Sequence, residues 1–260
     1  MLKRMYRQKL LTVILAIYGL LSFAGMPLAQ ATGTLEPLPR DLEIELALSS
    51  LPPHLRDQAT VYTLNLKRGF EIARKGANGF HAFVARTSSD VYKAAWPFTQ
   101  YRDDILIPIA FDSAGAKANL RPFFDIAKMQ AEGVPPTQAQ SIIRERYASG
   151  VYKAPERAGV SYMLSPVLRA YMHPEQNNEV GTFNYPHYMF YAPNVTSQDI
   201  GGSPPPSPYP WAFRPGPHGY INLRAGEKEI AELNKKYQQL ISRLCAFKKA
   251  FCLPEPNPPQ

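Results

Sequence analysis

The chain has 260 residues, with 29 basic and 21 acidic side chains, a formal charge of +8 and two cysteines. Four of the basic residues, Lys3, Arg4, Arg7 and Lys9, fall in the first nine positions, so 25 basic against 21 acidic residues, or +4, remain beyond them. That balance is ordinary for a protein surface and speaks against a nucleic-acid partner.

The chain opens as an export signal. The basic first nine residues are followed by an apolar run at 10–24, LLTVILAIYGLLSFA, and by Ala29-Gln30-Ala31. This order of basic, apolar and small-residue regions is that of a secretory signal peptide. The run falls short of the roughly 20 apolar residues a spanning helix needs, and Pro27 closes it. Residues 1–31 therefore read as a signal cleaved between Ala31 and Thr32, and the mature chain as periplasmic or secreted, without a transmembrane segment. Residues 32–253 read as a single α+β domain and 254–260, PEPNPPQ, as a disordered tail.

Within the domain, residues 32–40 read as an extended lead-in. Residues 41–51 carry apolar Leu42, Ile44, Leu46, Leu48 and Leu51 and predict a short helix capped by Asp41 and ended by Pro52-Pro53. Strands are predicted at 59–66, 69–74 and 79–85, with a turn at 75–78 between the last two. Pro108 interrupts the apolar run 105–111, which suits an edge strand or a bulge. Residues 113–131 and 137–148 predict two helices, the first beginning either at Ser113 or near Pro122. Further strands are predicted at 159–165, 187–192 and 219–224. Seven prolines at 201–217 exclude a helix or a central strand and predict a stiff loop.

Residues 228–250 predict a long C-terminal amphipathic helix. Ile230, Leu233, Tyr237, Leu240, Leu244, Phe247 and Phe251 alternate spacings of three and four, as on a surface helix laid on a sheet or in a short coiled-coil seam. The second reading makes residues 228–251 a homodimer contact. Strands, then helices, then strands and a closing helix describe an α+β fold on a mainly antiparallel sheet.

Cys245 and Cys252 form an even pair, as expected of a disulfide in an oxidising compartment. Seven residues of continuous helix separate Cα atoms by about 10 Å, whereas a disulfide tolerates about 7 Å, so an intrachain bond requires the helix to end between them. Free thiols or an interchain bond are the alternatives.

No HExxH, GxSxG, P-loop or dinucleotide glycine pattern is present, and no catalytic residue is assigned. The candidates are histidines at strand starts. His187 and His218 each follow a proline, and His81 lies in the strand GFHAFVA. Alternation places His187 with Met189 and Tyr191 on one face and His218 with Tyr220 and Asn222 on another. If those strands pair in register, the imidazoles meet at one sheet end. With Met189, or with a carboxylate from Asp103, Asp104 or Asp112, they form a metal site whose candidate ligands are His187, His218 and His81. Beside Arg102, Asp103-Asp104 reads more simply as a solvated turn. No cofactor is otherwise predicted. Aromatics crowd residues 183–213, Trp211 among them, either lining a ligand groove or filling the core beneath the proline-rich loop.

The segments Asn78-Gly79-Phe80, Gly159-Val-Ser-Tyr-Met-Leu-Ser165, Pro186-His187 through Asn194, Asp199-Ile200-Gly201 and Pro217-His218-Gly219 resemble a family of exported bacterial proteins of no known activity. The resemblance runs in patches from about residue 42 to 224. It implies a bacterial envelope setting and marks His187, Asn194, Asp199 and His218 as candidate site members, without assigning them a role. The leading expectation is a non-catalytic binder of a small molecule or envelope component, using His187, Met189, Tyr191, Asn194, Asp199, Trp211, His218 and Tyr220. The alternatives are a metal-dependent hydrolase or oxidoreductase built on His187 and His218, and an assembly protein acting through its C-terminal helix.

Overall fold

The computed structural model describes residues 35–87, 98–172, 179–203, 207–214 and 216–255. The predicted signal and its cleavage point, the last five residues of the predicted tail, and His173 lie outside them. α1 (Arg40–Ser49) starts after Pro39, whose carbonyl accepts the Glu43 N–H, so the cap falls two residues before the predicted Asp41. Its stripe of Leu42, Leu46 and Ala47 is buried.

β1 (Thr60–Asn65) and β2 (Gly69–Arg74) form a hairpin. β3 (His81–Ala85) adds parallel to β1, and β4 (Ile107–Phe111) antiparallel to β3. Three helices follow: α2 (Ser113–Ala118), α3 (Leu120–Ala131) and α4 (Pro136–Ala148). The chain returns through β5 (Val160–Met163), a separate hairpin of β6 (Leu168–Tyr171) and β7 (Val180–Phe183), β8 (His187–Tyr191), β9 (Trp211–Phe213) and β10 (Tyr220–Arg224). It closes with α5 (Glu227–Lys236) and α6 (Gln238–Phe247). The eight-stranded sheet runs β2-β1-β3-β4-β5-β8-β10-β9, antiparallel except at β1–β3. This is the expected α+β class.

Strand alternation sends side chains to two cores. On one face Val61, Ala82, Val84 and Ala110 pack with Leu42 and Leu46 of α1 and with Leu233, Leu240 and Leu244 of α5 and α6. On the other, Phe83, Ile109, Phe111, Met163, Met189 and Tyr191 pack with Phe123 of α3. The first core also holds a charge. Glu43 is 1 % exposed; its Oε1 accepts from Arg86 Nη2 and from the Leu64 N–H, each at 3.2 Å. Burial raises the Glu43 pKa, and Arg86 opposes that rise.

Four expectations need correction. The long C-terminal helix is two short ones, parted at Tyr237 (φ −103°, ψ 18°), whose ring lies 5.0 Å from the Arg56 guanidinium. Tyr237 still donates its N–H to the Leu233 carbonyl, so the break is a change of direction that lets both stripes reach the same core. Ile230, Leu233, Tyr237, Leu240, Leu244 and Phe251 are buried within the chain, as in a surface helix packed on its own sheet. Second, β4 is central. Pro108 is accommodated because residues 106, 108 and 110 turn their nitrogens the same way. There β4 parts from β5, between the Leu106–Arg169 bridge and the Ala110–Tyr162 pair.

Third, the run 113–131 is two helices parted at Asn119 rather than one, with Pro122 in the first turn of α3, as the later of the two predicted starts has it, where its missing N–H is harmless. Fourth, Asp103-Asp104 is no solvated turn. Arg102 grips Asp104 through two hydrogen bonds (2.7 and 2.8 Å), and Arg169 of β6 adds a third at 2.8 Å. Asp103 accepts from Lys248 Nζ at 2.9 Å and from the Glu36 N–H. Burial pushes the Asp104 carboxyl up, but the two guanidiniums outweigh it and hold the group at about 2.

The disulfide geometry is met as the spacing required. α6 ends at Phe247, Lys248 is extended, and a 3-10 turn at Lys249–Phe251 brings Cys252 back until its Cα lies 4.3 Å from that of Cys245, to which it is bonded.

Candidate functional site

Five of the eight predicted ligand-binding residues converge on one sheet face. β8 and β10 pair with Tyr220 opposite Tyr191, Asn222 opposite Met189 and Arg224 opposite His187, while Trp211 of β9 faces Asn222. Directly opposed residues share a side, so His187, Met189, Tyr191, Trp211 and Tyr220 lie together. All but Trp211, which is half-buried on the edge strand β9, are core rather than the lining of an open groove. Met189, Tyr191 and Tyr220 are buried in the second core, and Phe183, Tyr185 and Phe213 pack against it. His187 is 4 % exposed; its Nδ1 bonds the Tyr185 carbonyl at 2.7 Å, and burial lowers its pKa to about 4.

The antiparallel register separates the two Pro-His histidines. His187 sits opposite Arg224 at one end of the β8–β10 pair; His218 lies beyond Tyr220 at the other. Four strand positions, about 13 Å, part those ends, so the shared histidine site is not formed. His218 packs edge-on against Tyr147 at 5.0 Å, and burial together with the Arg214 charge lowers its pKa. His81, on β3, bonds the Tyr62 hydroxyl through Nδ1 at 2.9 Å. Among the described residues no group of three or more His, Cys, Asp or Glu side chains is placed to hold a metal ion.

Asn194 and Asp199 shape turns. Asn194 has φ 62°, a conformation asparagine tolerates well, and donates its N–H to the Gly216 carbonyl at 2.7 Å. The Asp199 carboxylate accepts from the N–H and hydroxyl of Thr196 at 2.8 and 2.7 Å, which lowers its pKa.

Tyr191 does more than fill space. Its hydroxyl donates to Asp112 Oδ1 at 3.1 Å, with the Val160 carbonyl also at 3.1 Å, and accepts from Ser161 at 3.3 Å. Asp112 caps α2 by accepting the Gly115 N–H at 2.8 Å and accepts the Val160 N–H at 3.3 Å. Burial raises the Tyr191 pKa, so the hydroxyl keeps its proton as a donor. Two glycines make room. A Cβ at Gly115 would stand 1.8 Å from the Tyr191 oxygen, and one at Gly159 would stand 2.3 Å from Asp112 Oδ2.

This buried cluster fixes one end of an open cleft of about 390 Å3 between α2 and the strap 153–157. Ser113 and Lys117 line one side and Lys153, Glu156 and Arg157 the other, with Ala114, Ala118 and Ala154 between them. The strap is tied at both ends. Before it, the buried Tyr152 donates its hydroxyl to Asp125 at 2.7 Å, and Arg146 binds the same carboxylate at 2.6 Å. After it come Gly159 and the Val160–Asp112 bond. Arg157 crosses the cleft's lip, donating to Ser113 Oγ at 3.2 Å and to the Ala158 carbonyl at 3.1 Å.

From sequence Asp112 is only a possible metal ligand, and the cleft residues carry no recognised motif. The signal available was Asp112 before Ser-Ala-Gly, a helix-cap pattern, together with the basic strap KAPER. Comparison with models of known protein families, with curated proteins and with solved structures yields no match. The patchwise resemblance to exported bacterial proteins therefore rests on the quoted segments alone.

Proposed function

We propose that this chain is an exported, non-catalytic protein that binds a small molecule in the cleft between α2 and the strap. The observation that carries the reading is the cleft itself. Its volume, about 390 Å3, falls among the about 300–1,000 Å3 typical of small-ligand sites. Its walls are tied by buried hydrogen bonds, so little ordering cost attends binding. Its polar groups hold charge and donate hydrogen bonds, and its lining includes no histidine or cysteine.

Export is supported by the basic, apolar and small-residue order of residues 1–31 and by the Cys245–Cys252 bond, of a kind that persists in oxidising compartments. Among the described residues no helix is long and apolar enough to cross a membrane.

The test is native mass spectrometry of the untagged protein recovered from the bacterial periplasm. The expected species begins at Thr32 and carries a small molecule that leaves on denaturation. An intact Met1 on cytosolic protein overturns the export reading. A bare chain whose unfolding temperature no small polar metabolite raises overturns the binding reading.

A further inference from the structure

We infer that the cleft recognises a phosphomonoester and the polyol that carries it; this rests on the binding reading above. The reasoning starts from charge. Lys117, Lys153 and Arg157 face the cleft against one carboxylate, Glu156, leaving a formal +2 in its lining. A phosphomonoester carries about −1.5 to −2 at neutral pH, which matches that excess, whereas a simple carboxylate would leave it half neutralised.

Some of the chain's cations find carboxylates, as Arg102 and Arg169 share Asp104 and Lys248 takes Asp103, while others such as Lys67, Lys75 and Lys249 have none among the described residues. Among the described residues Lys117 and Lys153 have no such partner, and Arg157 is held by a hydroxyl and a carbonyl, neither of which neutralises it. Those two bonds use one N–H on each terminal nitrogen, leaving guanidinium donors free to meet phosphate oxygens. Ser113 accepts from Arg157, so its own proton remains to donate. Glu156, also unpaired, is the acceptor a ligand's hydroxyl groups require. Asp112 lies behind the wall, its carboxylate occupied by the Gly115 and Val160 N–H groups and the Tyr191 hydroxyl.

The phosphate can belong to a free phosphorylated sugar or to a lipid headgroup. Calorimetric titration of the mature protein with glucose 6-phosphate and with glucose, at low and moderate salt, is set beside co-sedimentation with phosphatidylcholine vesicles with and without phosphatidic acid. The expected result is binding of glucose 6-phosphate at least tenfold tighter than glucose, or of phosphatidic acid vesicles at least tenfold tighter than vesicles of the phosphodiester phosphatidylcholine alone, weakening as salt rises. The double substitution Lys117→Gln/Lys153→Gln weakens it at least tenfold more, with unfolding temperature unchanged because both side chains are exposed. Preference for the free sugar phosphate or for the phosphatidic acid vesicle identifies the source. Glucose binding as tightly as its phosphate overturns the phosphomonoester inference and leaves the binding reading standing. Failure of every phosphorylated probe, while a neutral metabolite raises the unfolding temperature, does the same. Failure of all ligands overturns both.

Discussion

The Tyr191 hydroxyl meets the Asp112 carboxylate at 3.1 Å across 79 residues of chain, joining a strand of the sheet to the cap of α2. Tyr191→Phe removes that donor and leaves a buried carboxylate short of one bond, at a cost of about 1–2 kcal/mol. Gly115→Ala drives a methyl into the same oxygen and is expected to cost about 1–3 kcal/mol. Urea unfolding midpoints measure both; a Tyr191→Phe midpoint equal to wild type would show the contact to be idle.

His187 gives the fold a pH dependence. Its pKa is lowered from 6.5 to about 4 by burial, so between those values the unfolded chain binds the proton and the folded chain does not. Stability from this group is whole above pH 6.5, falls as pH drops, and is lost by about 3 kcal/mol once pH passes below 4. An NMR titration should find this imidazole still neutral at pH 5, while wild-type stability declines more steeply than that of His187→Gln. An imidazole titrating near its ordinary value would refute the assignment.

Asp104 sets a second, more acidic limit. Its folded value of about 2 lies below its ordinary 3.8, so its contribution is present above 3.8 and disappears as pH falls through 2. Allowing for partial solvent screening, about 1–2 kcal/mol goes with it. Asp104→Asn at neutral pH leaves Arg102 and Arg169 facing each other without an anion and should cost about 2–3 kcal/mol. Circular dichroism melts of both proteins from pH 7 to pH 2 check the pair; parallel curves would rule the network out.

Cutting the disulfide with a reductant, or replacing both cysteines by serine, reopens a short loop whose closure entropy is worth about 2–3 kcal/mol. The expected effect is a lower urea midpoint, with early loss of hydrogen-exchange protection at residues 249–253. Alkylation of unreduced, denatured protein should add no mass; two added labels would show free thiols.

The sequence made the backbone far more legible than the site. Periodicity located α1, the outer hairpin and the strands at 187–191 and 220–224, because each carries its pattern within one element. A sequence separation of seven between the cysteines requires a helix end, which the structure supplies at Phe247. What failed depended on partners distant in the chain. Nothing local to α1 marks Glu43 as buried; its partner Arg86, just past the end of β3, is 43 residues away. His187 and His218 looked alike locally, but their antiparallel register, which no local pattern reveals, set them at opposite ends. The cleft was hidden for the same reason, since its two walls come from segments 35–45 residues apart and neither carries an apolar rhythm.

α1 and α6 press together in one core, and Arg243 near the chain's end binds Asp41 and Glu45 near the start of the described fold. A ribosome must release residue 251 before Phe251 can seal that interior. Until then the nascent polypeptide has no means of locking half of itself shut. The face of the sheet covered by α1 and α6 is therefore the part of the described fold that closes last.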